Sequence, residues 1–365
     1  MKKTIGVITF DFYPFIGGIG RHVYETYFKA LKETKEFGVK IISPSTVKLE
    51  DSINVFSFVK LKKIFGENIL FSILISPLIN NLIKKHEIDI LNIQTGPGGV
   101  FLFSKPKIKT IATAHHTYYQ QSLYIGRQWW KKIFIFFEKR TYQLVDKIMV
   151  DTESTRKVLI NSYGIDSRKI KTVPLLIDDD RFKSLNKKRI KNSLFFVGRL
   201  EKRKGIDWLV ETMPVVKKNI PDIKLFIAGK GNLEIQIKTF IKENNLENSI
   251  FLLGKITDKE LIEWYNKVEV VVVPSIFEGF GLTVLEAMSC GTQVIASNTD
   301  GLKDVLSFCK MNLFKFKNSD DLLRAIKLNL DKKYANKFKI LLKNTIKNKY
   351  STKNNLNQIC KIYEA

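Results

Sequence analysis

Two glutamates, Glu278 and Glu286, are separated by seven residues that begin Gly279-Phe280-Gly281. The segment follows an unbroken apolar run, Val270–Val273, closed by Pro274-Ser275. Glycines at 279 and 281 let the backbone approach a ligand closely. A helix starting near Leu282 and running to Cys290, with Gly291 stopping it, would turn free N–H groups and a positive dipole end toward an anion. Within its first turn Glu286 would face the loop, placed to accept hydrogen bonds from sugar hydroxyls. The plain alternative is a turn with two solvated glutamates. Glu-Gly-Phe-Gly directly after an apolar strand is an odd way to build such a turn, and favours a site.

A second group of charges precedes it. Gly198-Arg199-Leu200-Glu201-Lys202-Arg203-Lys204-Gly205 follows the apolar run Ser193–Val197. Arg199 and Lys204 are suited to a phosphate-like anion, and Arg203 could substitute for Lys204. Read alone, the stretch is equally a basic turn in a basic protein. Pro14-Phe15-Ile16-Gly17-Gly18-Ile19-Gly20 lies between a first strand and a helix beginning near Arg21. Such a loop either presents N–H groups to phosphate or leaves room for an acceptor. Its spacing is not the dinucleotide fingerprint. Thr113-Ala114-His115-His116 ends another strand and holds two of the chain's four histidines. Gly229-Lys230-Gly231 and Gly254-Lys255-Ile256 are further loop glycines directly after strands.

The elements that must position these residues are short β-rich runs alternating with helical patterns. Strands are expected at Thr4–Phe10, Val39–Ile42, Asp89–Gln94, Lys109–Ala114 and Lys147–Asp151. After a break they resume at Ser193–Val197, Lys224–Ala228, Ile250–Leu253, Val268–Val273 and Gln293–Ala296. Almost continuous apolar character marks strands buried on both faces of parallel sheets. Two such α/β sheets follow, divided by the polar run from Asp178 to Arg189, which reads as a solvated linker. Open sheets of this kind place ligands at the carboxyl ends of their strands, where the candidate residues sit. The expected domains are 1–182, 183–345 and a helical tail, 346–365, that either ends free or crosses back to the first domain. The tail beyond Asn344 reads as too sparse in apolar residues to be a core element.

Composition narrows the class. The chain has 365 residues, 44% hydrophobic, and a formal net charge of +25. The charge is spread, +11 over residues 1–182 and +14 over the rest, so compositional bias explains it better than a nucleic-acid groove. The three cysteines, Cys290, Cys309 and Cys360, lie far apart with no metal-ligand spacing, which suits a reducing cytoplasm. The amino terminus is too short for a secretory signal and reads as a buried strand. The longest apolar stretch, Ile69–Ile79, is broken by Ser72, Ser76 and Pro77, short of the roughly 20 residues a membrane span needs.

The stretch from Pro274 to Met288 resembles the signature of retaining glycosyltransferases of family 4, which have the GT-B fold: two Rossmann-like parallel-sheet domains facing each other across a cleft. The likeness continues in the Gly198–Gly205 segment, the Gly17-Gly18 loop and His115. It implies that Glu278 lies at the donor sugar and Glu286 holds the nucleotide's ribose. It further implies that Arg199 and Lys204 meet the diphosphate, and that His115 reaches the donor sugar or the reacting region. Gly17, Gly18, Gly229, Lys255, Ile256, Gly279, Phe280, Gly281 and Leu282 would complete the donor site. His116 stands where the family has Asp, Gln293 where it often has Pro, and Asp304 where it often has Glu.

The activity implied is transfer of a hexose-type sugar, with retention, from a UDP- or GDP-sugar to a hydroxyl of a glycan or lipid-linked acceptor. Cell-surface polysaccharide or glycolipid synthesis would be its setting. No cofactor and no essential metal is expected. Asp178-Asp179-Asp180 resembles the Asp-x-Asp metal site of the other transferase fold, but its place in the interdomain connection reads as structural. The protein would be cytoplasmic, with peripheral contact to anionic membrane through Lys60-Leu61-Lys62-Lys63-Ile64-Phe65. The aromatic stretch Trp129–Phe137 reads as a core helix. Rival readings are a GT-B-like epimerase or phosphorylase, and a basic nucleic-acid-binding protein without catalysis; no nucleic-acid partner is expected.

Overall fold

Runs such as Val270–Val273 and Ser193–Val197 carry branched or aromatic side chains on both faces. They are stable only with a neighbour strand on each side and helices above and below. The computed structural model describes residues 2–13, 17–45, 47, 49–55, 67–124, 131–178 and 180–365, and in it these runs are central strands of two wholly parallel sheets. Lys60–Phe65 and Trp129-Trp130 lie outside the described residues.

The first sheet contains β1 (Lys3–Ile8), β2 (Phe37–Ser43), β3 (Ser52–Asn54), β4 (Ile90–Thr95), β5 (Lys109–Ala114), β6 (Lys147–Val150) and β7 (Ile170–Thr172). Its order is β3-β2-β1-β4-β5-β6-β7. The second contains β8 (Ser193–Val197), β9 (Lys224–Ala228), β10 (Ile250–Gly254), β11 (Val270–Val273), β12 (Gln293–Ser297) and β13 (Leu313–Phe314), in the order β10-β9-β8-β11-β12-β13. In each sheet the winding reverses once, between β1 and β4 and between β8 and β11. A crevice opens at such a switch point, outside the carboxyl ends of the two strands.

The chain divides into two compact units, residues 1–176 with 352–365, and residues 177–351. The break therefore falls at Leu176/Ile177, ahead of the expected residue 182. The run expected to be a solvated linker is partly anchored in the second unit. Phe182 is buried against Tyr265, and Arg189 donates to the Tyr265 carbonyl (3.2 Å), the Gly291 carbonyl (3.0 Å) and Thr292 Oγ1 (2.9 Å). An arginine with several backbone acceptors is held in place even inside a polar sequence. Asp178 accepts from the Arg181 N–H (2.9 Å), so its carboxylate closes a local turn.

The helical tail returns to the first unit, but from residue 352 rather than 346, and as a core element. Residues 346–351 stay with the second unit, and the helix Thr352–Glu364 packs on the first. Leu356, Ile359, Cys360 and Tyr363 recur at helical spacing and are buried with Val7, Tyr27, Leu31 and Phe37. Four apolar positions on one face suffice for a core element even when the segment is polar overall. Lys109 Nζ donates to the carbonyls of Ile362 (3.1 Å) and Tyr363 (2.8 Å), tying down the helix end.

In helix Lys131–Leu144, expected to be a core helix, Phe134 is buried but Ile133 and Phe136 are 49% and 61% exposed. Only one face of that helix belongs to the core. No described helix is long and apolar enough to cross a membrane.

Candidate functional site

In the second unit the site is assembled at the switch point. Beyond β8 the chain turns through Lys202–Lys204 and reaches Gly205 at φ +66°, where an added Cβ would lie 2.0 Å from the Pro274 carbonyl oxygen. Only glycine permits that approach. It brings the turn onto the loop leaving β11: Ile276 N–H donates to the Arg203 carbonyl (2.9 Å), and Arg203 donates to the Phe277 carbonyl (3.1 Å). Two loops whose bonded residues are 74 positions apart in sequence are thereby fastened together.

The fastening carries the charges with it. Lys204 Nζ bonds to Glu278 Oε1, Ser275 Oγ donates to the same oxygen (3.0 Å), and Arg203 lies 3.7 Å from Oε2. Glu201 pairs with both Arg199 (3.1 Å) and Arg203 (3.2 Å). Burial alone would raise the Glu278 carboxyl; Lys204 and Arg203, with the two hydrogen bonds, hold it below its usual range. Three cations and two anions alternate here. Arg199, 66% exposed, reaches toward solvent from the end of the row.

Gly281, at φ +96°, starts the helix Leu282–Ser289. The loop before it is braced from behind by Gly301, whose N–H donates to the Glu278 carbonyl (3.2 Å) and whose Cβ, if present, would meet the Gly279 carbonyl oxygen at 2.2 Å. Glu286 is the fifth residue of that helix, so it falls in the second turn rather than the first. It is buried, and Tyr265 Oη donates to its Oε2 (2.8 Å). Its charge, after burial, helps push the Cys290 thiol up to about 12.

The neighbouring loops pack alongside. Gly229, at φ +135°, donates its N–H to the Gly254 carbonyl (2.7 Å), and an added Cβ would touch the Gly198 carbonyl at 1.9 Å. The ends of β8, β9 and β10 are thus in backbone contact. Lys255 is exposed and Ile256 half-buried just beyond. Gly279 and Leu282 are partly open, whereas Phe280 turns inward and is buried.

In the first unit the glycine loop is differently made. Asp11 Oδ2 accepts from the N–H groups of Gly17 (2.8 Å) and Gly20 (3.0 Å), and Gly20 lacks a Cβ that would meet the Asp11 carboxyl carbon at 2.7 Å. A carboxylate already occupies two of the loop's N–H donors. Gly18 has no neighbour within 4 Å of its Cβ position, and Pro14-Phe15-Ile16 lie outside the described residues. The helix begins at Gly18, ahead of Arg21.

His115 ends β5 facing inward. Its Nδ1 lies 2.7 Å from Asp151 Oδ2 and its Nε2 lies 2.8 Å from Gln94 Oε1, so β4 and the residues just past β5 and β6 each supply one member. Both ring nitrogens are engaged by the protein, and for either to reach a sugar hydroxyl a partner must give way. Burial raises the Asp151 carboxyl against the opposing pull of His115. His22 packs edge-on against His115, ring centres 4.9 Å apart, and burial followed by His115 lowers it well below the ordinary histidine value. His116 is half-buried, its carbonyl close beneath Gly96, where an added Cβ would approach to 2.6 Å.

Sequence reasoning passed over several residues that hold this geometry: Asp11, His22, Gln94, Asp151, the Gly96–Gly99 loop, Tyr265, Ser275 and Gly301. Asp11, Gln94 and Asp151 have a common signal, since each lies within three residues of a parallel strand's carboxyl end. Glu138 was also missed. It is fully buried, accepts from the Tyr118 N–H (2.9 Å), Tyr142 Oη (3.3 Å) and Tyr163 Oη, and burial pushes its carboxyl up to about 8. Tyr118 Oη in turn accepts from the Gly98 N–H (3.3 Å), so this cluster supports the Gly96–Gly99 loop.

Comparison with known proteins agrees with the architecture. Residues 16–181 match the family model of Glycosyltransferase Family 4, and residues 177–352 match that of Glycosyl transferases group 1. The chain is 30% identical over 177 residues to D-inositol 3-phosphate glycosyltransferase of Pseudarthrobacter chlorophenolicus, a match covering 44% of this chain and less than half, 42%, of that protein. An uncharacterized glycosyltransferase of Methanocaldococcus jannaschii is 28% identical over 312 residues, covering 81% of this chain and 79% of that one. Among solved structures, sucrose-phosphate synthase from Thermosynechococcus elongatus superposes with a TM-score of 0.79 at 18% identity, over 99% and 98% of the two chains. Two adjoining family models that together span most of the chain, and two Rossmann-like sheets matching that fold, place it among the GT-B glycosyltransferases of the family 4 type.

Proposed function

We propose that this chain transfers a hexose-type sugar from a nucleoside-diphosphate donor, UDP- or GDP-linked, to a hydroxyl of a glycan or lipid-linked acceptor, with retention at the anomeric carbon. The observation that carries the reading is the charge row Arg199–Glu201–Arg203–Glu278–Lys204 at the β8/β11 switch point, beside the helix starting at Leu282. A departing diphosphate gains negative charge, and a net-positive, pre-assembled row with a helix N-terminus meets it without reorganisation.

In this reading Glu278 orients the donor sugar and keeps Lys204 and Arg203 extended toward the phosphates. Arg199, at the exposed end of the row, is recruited by the donor. Glu286, its Oε2 accepting from Tyr265, meets the ribose hydroxyls. Gly229, Lys255 and Ile256 border the base. His115 orients the donor sugar once Gln94 releases its Nε2. The positive charge of the transition state, which resembles an oxocarbenium ion, pairs with the diphosphate. The cations take the part that a metal ion plays in other transferases, so the reaction is proposed to need none. Peripheral contact with an anionic membrane belongs to the same proposal, the exposed Ile133 and Phe136 standing beside Lys132, Lys139 and Arg140 on one helix.

The test is release of nucleoside diphosphate from a panel of UDP- and GDP-sugars, in buffer and with mixed glycan and lipid acceptors. The reading requires release from at least one donor, faster with an acceptor present. Release from none, or sugar modified without an acceptor, overturns it, the second outcome in favour of an epimerase.

A further inference from the structure

The carboxy-terminal helix does more than cover the first sheet. Tyr363 is fully buried near its end, ring against Phe37 at 5.9 Å, and its hydroxyl accepts from Asn92 Nδ2 (2.8 Å) in the middle of β4. Thr113 Oγ1 lies against both ends of the same amide, 3.1 Å from Asn92 Nδ2 and 3.2 Å from Oδ1, whereas the Tyr363 hydroxyl meets the amine end. The amide oxygen accepts from Gln94 Nε2 (2.6 Å). Gln94 Oε1 is left facing His115 Nε2 at 2.8 Å. Each amide has a donor end and an acceptor end, so the orientation of one dictates that of the next.

We propose that Tyr363 is a positioning residue for His115, acting through the Asn92–Gln94 amide pair. Because the Tyr363 hydroxyl meets the amine end of Asn92, the Asn92 oxygen takes the Gln94 amine and Gln94 presents its oxygen to His115 Nε2, which donates to it. The Nδ1 side is meanwhile matched to Asp151 (2.7 Å). His22, packed on the ring, contributes shape; burial lowers its proton affinity, so it adds no competing charge. A segment some 250 residues away in sequence thus sets how firmly Gln94 holds the Nε2 side of the His115 ring. The inference of an effect on sugar transfer rests on the role proposed for His115 above; the inference about its ring does not.

The experiment uses the full-length chain labelled with 15N-histidine, in which four ring systems are resolved. Ring-nitrogen spectra are compared for the native protein, Tyr363→Phe and Lys109→Met, alongside steady-state kinetics. Tyr363→Phe keeps the ring and removes one hydroxyl. Lys109→Met instead frees the helix end at the Ile362 and Tyr363 carbonyls, and serves if the first variant does not fold. The native His115 is expected to show an exchange-protected Nε2–H. In the variants that signal shifts or broadens while those of His86 stay put, and kcat falls about three- to tenfold with the donor KM within twofold. An unchanged His115 spectrum in the folded variants overturns the proposal. A changed spectrum with unchanged kcat keeps the relay and refutes the role of His115 in transfer, so the two failures are separable.

Discussion

Replacing Lys204 by methionine separates a phosphate-binding role from a structural one. In the native protein the lysine is 21% exposed and Glu278 15% exposed, and the pair shares its oxygen with Ser275 at 3.0 Å. After Lys204→Met the carboxylate keeps Ser275 and keeps Arg203 at 3.7 Å. It is therefore not the orphaned buried charge that would cost about 3–5 kcal/mol, and a destabilisation of about 1–2 kcal/mol is expected. A domain stable by about 5–15 kcal/mol remains folded after that loss. Removing a group that stabilises developing charge costs about 10²–10³ in kcat, or about 2.7–4 kcal/mol. The rate must fall much further than the population of folded protein.

Denaturant melts and nucleotide-sugar turnover on the same preparations measure both. The pH dependence gives a second check. Glu278 is held below its usual range, so its contribution to stability is fully present above its unfolded value of about 4.3 and is lost as pH falls through the lower folded value. The stability gap between native and Lys204→Met should therefore be full at neutral pH and shrink below about pH 4. A turnover loss under threefold, or one matched by the unfolded fraction, refutes the assignment of Lys204 to the leaving group.

Three further outcomes follow from the geometry. Tyr265→Phe removes the bond to Glu286 Oε2, and nucleoside-diphosphate affinity by calorimetry should weaken about three- to tenfold, with stability lower by about 1 kcal/mol. Ile359→Ala, at a site 3% exposed, should cost about 2–5 kcal/mol and speed hydrogen exchange in β1, β2 and β4, leaving β8 to β13 unaffected. Chelator treatment should leave the transfer rate unchanged, since the proposed charge balance is met by side chains; a rate restored only by an added divalent ion would contradict it.

The central strands were legible because a strand buried on both faces is apolar at most of its positions. Lys109–Ala114, Ser193–Val197 and Lys224–Ala228 fall where the sequence places them. The edge strands Ser52–Asn54, Ile170–Thr172 and Leu313–Phe314 were not, being two or three residues long and paired on one side only. Backbone-driven features of the site, such as the glycines at 205, 229 and 281, could be suspected from residue type alone. What side chains do to one another was harder to read. Nothing local shows that Asp11 fills the donors of Gly17 and Gly20, or that His115 turns inward to Asp151 and Gln94, because those partners come from other strands. The tail was misjudged by averaging over its polarity instead of counting one helical face.

The central claim, that loops 198–205 and 274–286 form a nucleoside-diphosphate site, is tested most directly by titrating UDP and GDP calorimetrically into the native chain, Lys204→Met and Glu286→Ala. One of the two nucleotides should bind the native protein at a single site, with affinity weakened at least tenfold in each variant while both remain folded. Binding of neither nucleotide, or equal binding by all three proteins, would contradict the account.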